Sequence, residues 1–149
     1  MRVSIVLPAK NEASGLRQFM PALKAMMPEA EIIVVNDGSS DDTAGQALAL
    51  GATVLSNPYA MGNGASIKRG ARAAGGDIIV FMDADGQHRA EDLPKLLAQF
   101  EQGFDMVVGA RVKGGQASIG RGLANAFYNR LASWMTGHDV LDLTSGFRA

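Results

Sequence analysis

Short apolar runs alternate with stretches of helical periodicity along this chain. Residues 2–7 (RVSIVL), 30–35 (AEIIVV), 52–56 (ATVLS), 77–82 (DIIVFM) and 104–110 (FDMVVGA) read as strands. Between them, residues 13–26 place Leu16, Phe19, Met20, Leu23 and Met26 at helical spacing, with Pro21 as a blemish inside the pattern. Residues 40–51 read as a helix that Ser40 or Asp41 can cap and Gly51 ends. Residues 62–76 read as a helix opened and closed by glycines, and 90–103 as one with Pro94 in its first turn, where a missing N–H is tolerated. Strands that are apolar almost throughout are buried on both faces. The pattern therefore predicts an α/β fold, a mostly parallel sheet with helices on both faces. Connections are short, and neither an internal repeat nor a linker interrupts them.

After Arg111 the character changes. Residues 112–122 (VKGGQASIGRG) are Gly-rich and basic and read as a mobile loop. Residues 121–137 read as a helix with Leu123, Phe127, Leu131 and Trp134 on one stripe. A core-facing stripe is the favoured reading. A membrane-surface helix is the alternative, because Trp134 stands near Arg121 and Arg130.

Composition narrows the function classes. A length of 149 residues is one domain with room for a core, and 47% hydrophobic against 19% charged residues excludes a disordered chain. A net charge of −1 gives no global field toward nucleic acid. The absence of cysteine removes disulfides, thiolate metal sites and Cys nucleophiles. The opening MRVSIVLPAKNE has too short an apolar run for a signal peptide. No stretch approaches the roughly 18 apolar residues of a spanning helix, which sets the expectation of a soluble chain. The abrupt stop at TSGFRA is expected of one piece of a longer protein.

The chemistry gathers at the carboxyl ends of the strands, where open α/β sheets bind ligands. The first strand ends in Pro8-Ala9-Lys10-Asn11-Glu12, the second in Asn36-Asp37-Gly38-Ser39-Ser40-Asp41-Asp42, and the fourth in Asp83-Ala84-Asp85. Like charges gathered on one sheet edge repel unless a cation or a donor-rich ligand joins them. In extended backbone Asp83 and Asp85 point to the same side, and hard oxygen ligands at that spacing suit Mg²⁺ or Mn²⁺. Gln87 can add a neutral oxygen. His88 can add a nitrogen, but a lone His beside a turn is more often a surface or hydrogen-bonding residue. Taken alone, DADG is equally well an Asx turn before a helix. The turn and helix cap account for Gly38 to Asp41 but not for Asp37, whose carboxylate can accept from ribose hydroxyls or a base N–H. Gly62 and Gly64 at a helix start can cradle phosphate. They match neither the dinucleotide fingerprint nor the P-loop. Lys68 and Arg69 read as solvated helix residues.

As a set, VSIVLPAKNEA (3–13), IIVVNDGSSDDT (32–43), MGNGASIKRGARAAGGDIIVFMDADGQH (61–88), MVVGAR (106–111) and LDLTSGFRA (141–149) resemble the family 2 glycosyltransferases, inverting enzymes of the GT-A (Rossmann-like) fold. DADGQH and the terminal D-x-T-S-G-F-R-A look closest to the branch of dolichol-phosphate mannose synthase and bacterial polyprenyl-phosphate glycosyltransferases. The resemblance implies one catalytic domain over 1–149, with a nucleotide-sugar-binding half to about residue 110 and an acceptor side from about 111. It implies donor binding by Pro8, Ala9, Asn11, Glu12, Asp37, Gly62, Asp83 and Ala84. A Mg²⁺ or Mn²⁺ site at Asp83, Asp85 and Gln87 follows from it, as do catalytic roles for Asp85, Arg111 and Arg121. Where the family often has a lysine, this chain has Asn63.

The implied reaction moves a sugar from UDP or GDP to a polyprenyl phosphate at the cytoplasmic face of a membrane. Such an acceptor is mostly ionised at neutral pH and needs charge neutralisation, which fits Arg111 and Arg121, more than a general base. A saccharide hydroxyl as acceptor would need a base, for which Asp142 is the candidate, although it serves equally well as a cap of the turn DLTSG. A sugar nucleotidyltransferase-like enzyme and a non-catalytic nucleotide-binding domain are the competing classes. PAKNEASG is a poor match to the Gly-rich basic loop of the former, and the intact Asp37, Asp83 and Asp85 argue against the latter.

Overall fold

The computed structural model describes residues 1–84, 90–109, 128–135, 137 and 145–149. Four parallel strands, β1 (Val3–Ala9), β2 (Glu31–Asn36), β3 (Thr53–Ser56) and β4 (Ile78–Phe81), lie in the order β3-β2-β1-β4. The helices α1 (Ala13–Met26), α2 (Thr43–Ala49) and α3 (Asn63–Ala73) connect them in turn. The chain winds outward from β1 to β3, then α3 carries it back past β2 and β1 to β4. The strand order thus reverses between β1 and β4, and that switch point is where such sheets open a crevice.

Helices cover both faces, as expected. On one face Ile5, Leu7, Ile32, Val34 and Val80 pack with Leu16, Phe19, Met20 and Leu23 of α1 and Ala47 of α2. Each fully buried Leu or Ile there contributes on the order of 2 kcal/mol. On the other face Val6, Ile33 and Val35 lie under α3. That helix buries only Ser66 and Gly70, two small residues one turn apart that let it approach the sheet closely. At its far end, Gly76 has Ser4 N at 2.7 Å from where a Cβ would stand, which explains the closing glycine.

Pro21 is tolerated inside α1 because Arg17, whose carbonyl loses its N–H partner, is exposed. Pro8 sits inside β1, which runs two residues further than expected. Ala9 O accepts from Asp37 N toward β2 at 2.8 Å, and Val6 O accepts from Met82 N toward β4 at 3.2 Å. By that alternation, the N–H that Pro8 lacks would have faced β4. Proline therefore halts the β1–β4 ladder and lets the two strand ends diverge.

Several expectations are corrected. Among the described residues, 104–109 of the strand expected over 104–110 form no strand beside β4. Instead Arg148 bridges Phe81 and Val108 antiparallel, so 145–149 lies between β4 and the 107–109 stretch. The partners of an edge strand are set by tertiary docking, which an apolar pattern does not encode. Residues 90–103 are not one helix but a 3₁₀ turn (Ala90–Asp92), α4 (Leu93–Ala98) and a second 3₁₀ turn (Gln99–Gln102). Pro94 cannot donate to Ala90, so the preceding turn cannot be α. The helix expected over 40–51 begins at Thr43, and Met26 ends α1 exposed. Residues 128–135 are helical, but Trp134 is 80% exposed and Leu131 39%, so these two do not face the core. Leu123, Phe127 and the Gly-rich 112–122 lie outside the described residues.

Candidate functional site

The crevice at the switch point is a cleft of about 500 Å³. That volume lies within the usual range for small-molecule sites. Pro8, Ala9, Lys10 and Glu12 line it from the end of β1, and Asp37 from the end of β2. Ala60, Gly62, Asn63 and Ser66 come from the approach to α3, and Asp83 from the end of β4.

Local hydrogen bonds brace these loops against one another. Asn11, at φ 58°, accepts from both Ser40 N (2.8 Å) and Ser40 Oγ (3.2 Å), while its own N–H donates to Ser39 Oγ (3.0 Å). The Asp41 carboxylate accepts from Ala13 N (3.1 Å) and Thr43 N (3.0 Å), tying together the first residues of α1 and α2. Thr43 Oγ1 donates to Asp41 and accepts from Glu12 N at 2.9 Å. The β1–α1 loop is thereby fixed by the β2–α2 loop. Asp41, rather than the residue directly before α2, supplies the oxygen that caps it.

Asp37 is 5% exposed and densely bonded. Its Oδ1 accepts from Asn57 Nδ2 and from Met61 N, each at 2.7 Å, and its Oδ2 from Gly62 N at 2.9 Å. Burial pushes this carboxyl up, but the bonds from Asn57, Met61 and Gly62, with the charge of Lys10, outweigh it, and the group lies below its ordinary value. A carboxylate has about four acceptor positions, so one remains, on Oδ2. Gly38 serves the same loop: at φ +64°, a Cβ there would stand 2.6 Å from Ala60 N. Residues 57–62 are therefore seated directly on the Asp37-Gly38 pair.

Of the residues expected at the site, Pro8, Ala9, Glu12, Asp37, Gly62 and Asp83 line the cleft. Asn11 does not, since it braces Ser40 instead. Ala84 is packed in the core cluster at 2% exposure and does not line it either. Asp85, Gln87, His88, Arg111, Arg121 and Asp142 lie outside the described residues. Among the described residues, no group of three or more His, Cys, Asp or Glu could hold a metal ion. Asp83 does bring one hard carboxylate to the cleft. Lys10, Ala60, Asn63 and Ser66 also line the cleft, beyond the residues expected there. Lys10 stood within the strand-end motif and Ser66 one turn after the Gly62 helix start, so both positions carried a signal.

Comparison with known proteins agrees with this architecture. The family model for glycosyl transferase family 2 matches residues 4–149. The undecaprenyl-phosphate 4-deoxy-4-formamido-L-arabinose transferase of Proteus mirabilis is 33% identical over 160 residues, covering 99% of this chain and 48% of that protein. The dolichol-phosphate mannosyltransferase of Pyrococcus furiosus is 33% identical over 166 residues, covering 100% of this chain and 46% of that one. Among solved structures, glucosyl-3-phosphoglycerate synthase from Mycobacterium tuberculosis, in complex with Mn²⁺, UDP-glucose and phosphoglyceric acid, superposes with a TM-score of 0.77. It is 28% identical, and the match covers 99% of this chain and 55% of that one. The sheet and its helices are the GT-A-like α/β fold. The chain belongs to glycosyl transferase family 2. It spans about half the length of the curated relatives it matches.

Proposed function

We propose that this chain carries the donor-binding part of a metal-dependent, inverting glycosyltransferase that moves a sugar from a nucleoside diphosphate to a polyprenyl phosphate. The observation that carries the reading is the cleft at the switch point, where the buried, ionised Asp37 and the carboxylate of Asp83 line one opening of small-molecule size. The names of the relatives support it, as does the solved neighbour's complex with Mn²⁺ and UDP-glucose.

In this reading the remaining acceptor position on Asp37 takes a base N–H or a ribose hydroxyl. Asp83, with Asp85 and Gln87, would hold Mg²⁺ or Mn²⁺, because an all-oxygen ligand set suits a hard cation. When bound, that ion supplies positive charge that neutralises the diphosphate as a leaving group. An oxygen of the acceptor phosphate bonds to the anomeric carbon while the bond from that carbon to the diphosphate oxygen breaks. The electron pair departs with the nucleoside diphosphate, and the configuration inverts. With a second pKa of roughly 6, the acceptor arrives ionised and needs no base. Arg111 and Arg121 are assigned to hold it. A lipid acceptor places the work at the cytoplasmic membrane surface. No helix among the described residues is long and apolar enough to cross a membrane.

A hydroxyl acceptor is the second reading, favoured by the phosphoglyceric acid in the solved neighbour's complex. The test is calorimetry of UDP, GDP and their glucose, mannose and N-acetylglucosamine derivatives with Mn²⁺ and again with EDTA. Transfer assays to undecaprenyl phosphate in detergent and to 3-phosphoglycerate run beside it. Saturable binding that disappears with EDTA is expected, with transfer to the lipid. Absence of binding to folded chain would sink the donor reading, and transfer to 3-phosphoglycerate alone would select the second.

A further inference from the structure

Arg69 is an exposed residue on α3 whose guanidinium does not simply point into solvent. Its Nη1 donates to Ser56 O, at the end of β3, at 2.7 Å and to Asn57 Oδ1 at 2.9 Å. Arginine is always charged and has only donors, so the oxygen of the Asn57 amide must face it. The Asn57 amide nitrogen then faces inward, donating to Asp37 Oδ1 at 2.7 Å and to Ser66 Oγ at 3.0 Å. A cation at one end and a carboxylate at the other thus fix an amide that could otherwise flip. Asn57 is 6% exposed and Ser66 fully buried, so this chain of polar groups runs from the surface into the wall of the cleft. At its inner end Asp37 holds Met61 N and Gly62 N, and Ser66 Oγ donates to Gly62 O at 3.3 Å.

We propose that Arg69 is a positioning residue for nucleotide binding: through Asn57 it sets the orientation of Asp37 and the path of residues 57–62, of which Ala60 and Gly62 line the cleft. The inference rests on the donor-binding reading given above. It does not follow from bulk packing. Arg69 is exposed, and removing its head group opens no core cavity. It does remove the donor that holds the outer oxygen of the Asn57 amide. In a buried network, loss of one member is felt along the chain.

The experiment compares wild type, Arg69→Ala, Arg69→Lys and Lys68→Ala. UDP and GDP binding is measured by calorimetry with Mn²⁺, amide exchange at Met61 and Gly62 by NMR, and thermal midpoints in parallel. Lys68 is exposed on the same helix, and its substitution removes the same charge. Arg69→Ala is expected to weaken binding of whichever nucleotide wild type takes by about tenfold, the scale of a lost charge-assisted hydrogen bond. Exchange at Met61 and Gly62 should accelerate with little change in thermal midpoint. Arg69→Lys should recover most of the affinity and Lys68→Ala should match wild type. Equal affinity in wild type and Arg69→Ala overturns the inference while leaving the donor reading intact. An equal loss in Lys68→Ala overturns it in favour of a plain charge effect. A folded wild type that binds neither nucleotide overturns the donor reading and this inference with it.

Discussion

The backbone of Gly146 lies against the carboxylate of Asp83. A Cβ added at Gly146 would stand 2.9 Å from Asp83 Cγ and 3.1 Å from Oδ1, with Oδ2 closer still. The terminal SGFRA stretch therefore backs the carboxylate that β4 delivers to the cleft. Gly146 is not among the residues with positive φ, so alanine fits its backbone. What must yield is the end of one side chain, and that side chain is the expected metal ligand. Gly146→Ala should therefore change stability by no more than about 1 kcal/mol. Mn²⁺-dependent nucleotide binding should weaken about tenfold or more. Thermal melts and calorimetry on the same samples check both halves. Unchanged binding would mean that the exact position of Asp83 does not matter to the ligand.

A second glycine makes the opposite prediction. A Cβ at Gly70 would stand 3.1 Å from Val35 Cγ2 and nearer to Val6 Cγ1, both on fully buried, β-branched residues. Alanine gains about 1 kcal/mol of helix propensity over glycine. Overpacking a stiff core costs about 1–3 kcal/mol. The second effect wins, because Val6 and Val35 have no free rotamer to retreat into. Gly70→Ala should lower the thermal midpoint by several degrees, at roughly 2–4 °C per kcal/mol for a chain of this size. A rise in the midpoint would show that α3 can lift off the sheet without penalty.

Why some of this was legible in the sequence and some was not has a physical answer. The strands β1, β2 and β4 are apolar nearly throughout, so period and length sufficed to find them, and the parallel sheet followed. Asp37 and Asp83 stood out together, because carboxylates gathered at several strand ends on one sheet edge repel unless a ligand joins them. Asn57 and Arg69 did not stand out. A polar residue before a proline and a basic residue on a helix are ordinary locally, and only the fold brings them to 2.9 Å. The antiparallel insertion of Arg148 between Phe81 and Val108 was hidden for the same reason, since it joins residues far apart in the chain. The resemblance implies a ligand contact for Asn11, and residue type suggests a cap at Asp41. Their role in clamping two loops depends on partners 28 to 29 residues away.

The exposure of Trp134 yields a spectroscopic prediction. It is the chain's single tryptophan, and 80% exposure leaves its ring in water although its helical spacing suggested a buried stripe. Tyr128 and Met135 on the same helix are also exposed. Tryptophan emission from the folded chain should resemble that of an exposed indole, and iodide should quench it nearly as well as it quenches the urea-unfolded chain. Urea should shift the emission little while circular dichroism reports full unfolding. Blue-shifted, iodide-resistant emission would show that the ring is covered in solution, as a core-facing stripe requires.

Acid should act on the cleft through Asp37. Its folded-state pKa is lowered from the ordinary value of 3.8: burial raises it, and hydrogen bonds from Asn57, Met61 and Gly62 with the charge of Lys10 lower it further than burial can raise it. A carboxyl whose folded value is depressed contributes stability that is fully present above its unfolded value and disappears as pH falls through the folded one. The contribution is therefore constant from neutral pH down to the ordinary carboxylate range near 4 and is lost below it. Asp41 and Glu31 are depressed as well, Asp41 chiefly by Thr43 and Glu31 chiefly by Ser4, so they add to the same acid limb. The variant that isolates Asp37 is Asp37→Asn. Asparagine is uncharged and turns an amide N–H₂ toward Asn57 or toward Gly62 N, where only an acceptor fits. This variant should be less stable than wild type at pH 7. The difference between the two should narrow as pH falls below about 4, because protonation removes the advantage from wild type alone. Urea midpoints measured for both proteins from pH 2 to pH 7 check this. A gap that stays constant across the acid range would show that the carboxylate charge of Asp37 contributes nothing to holding residues 57–62 in place.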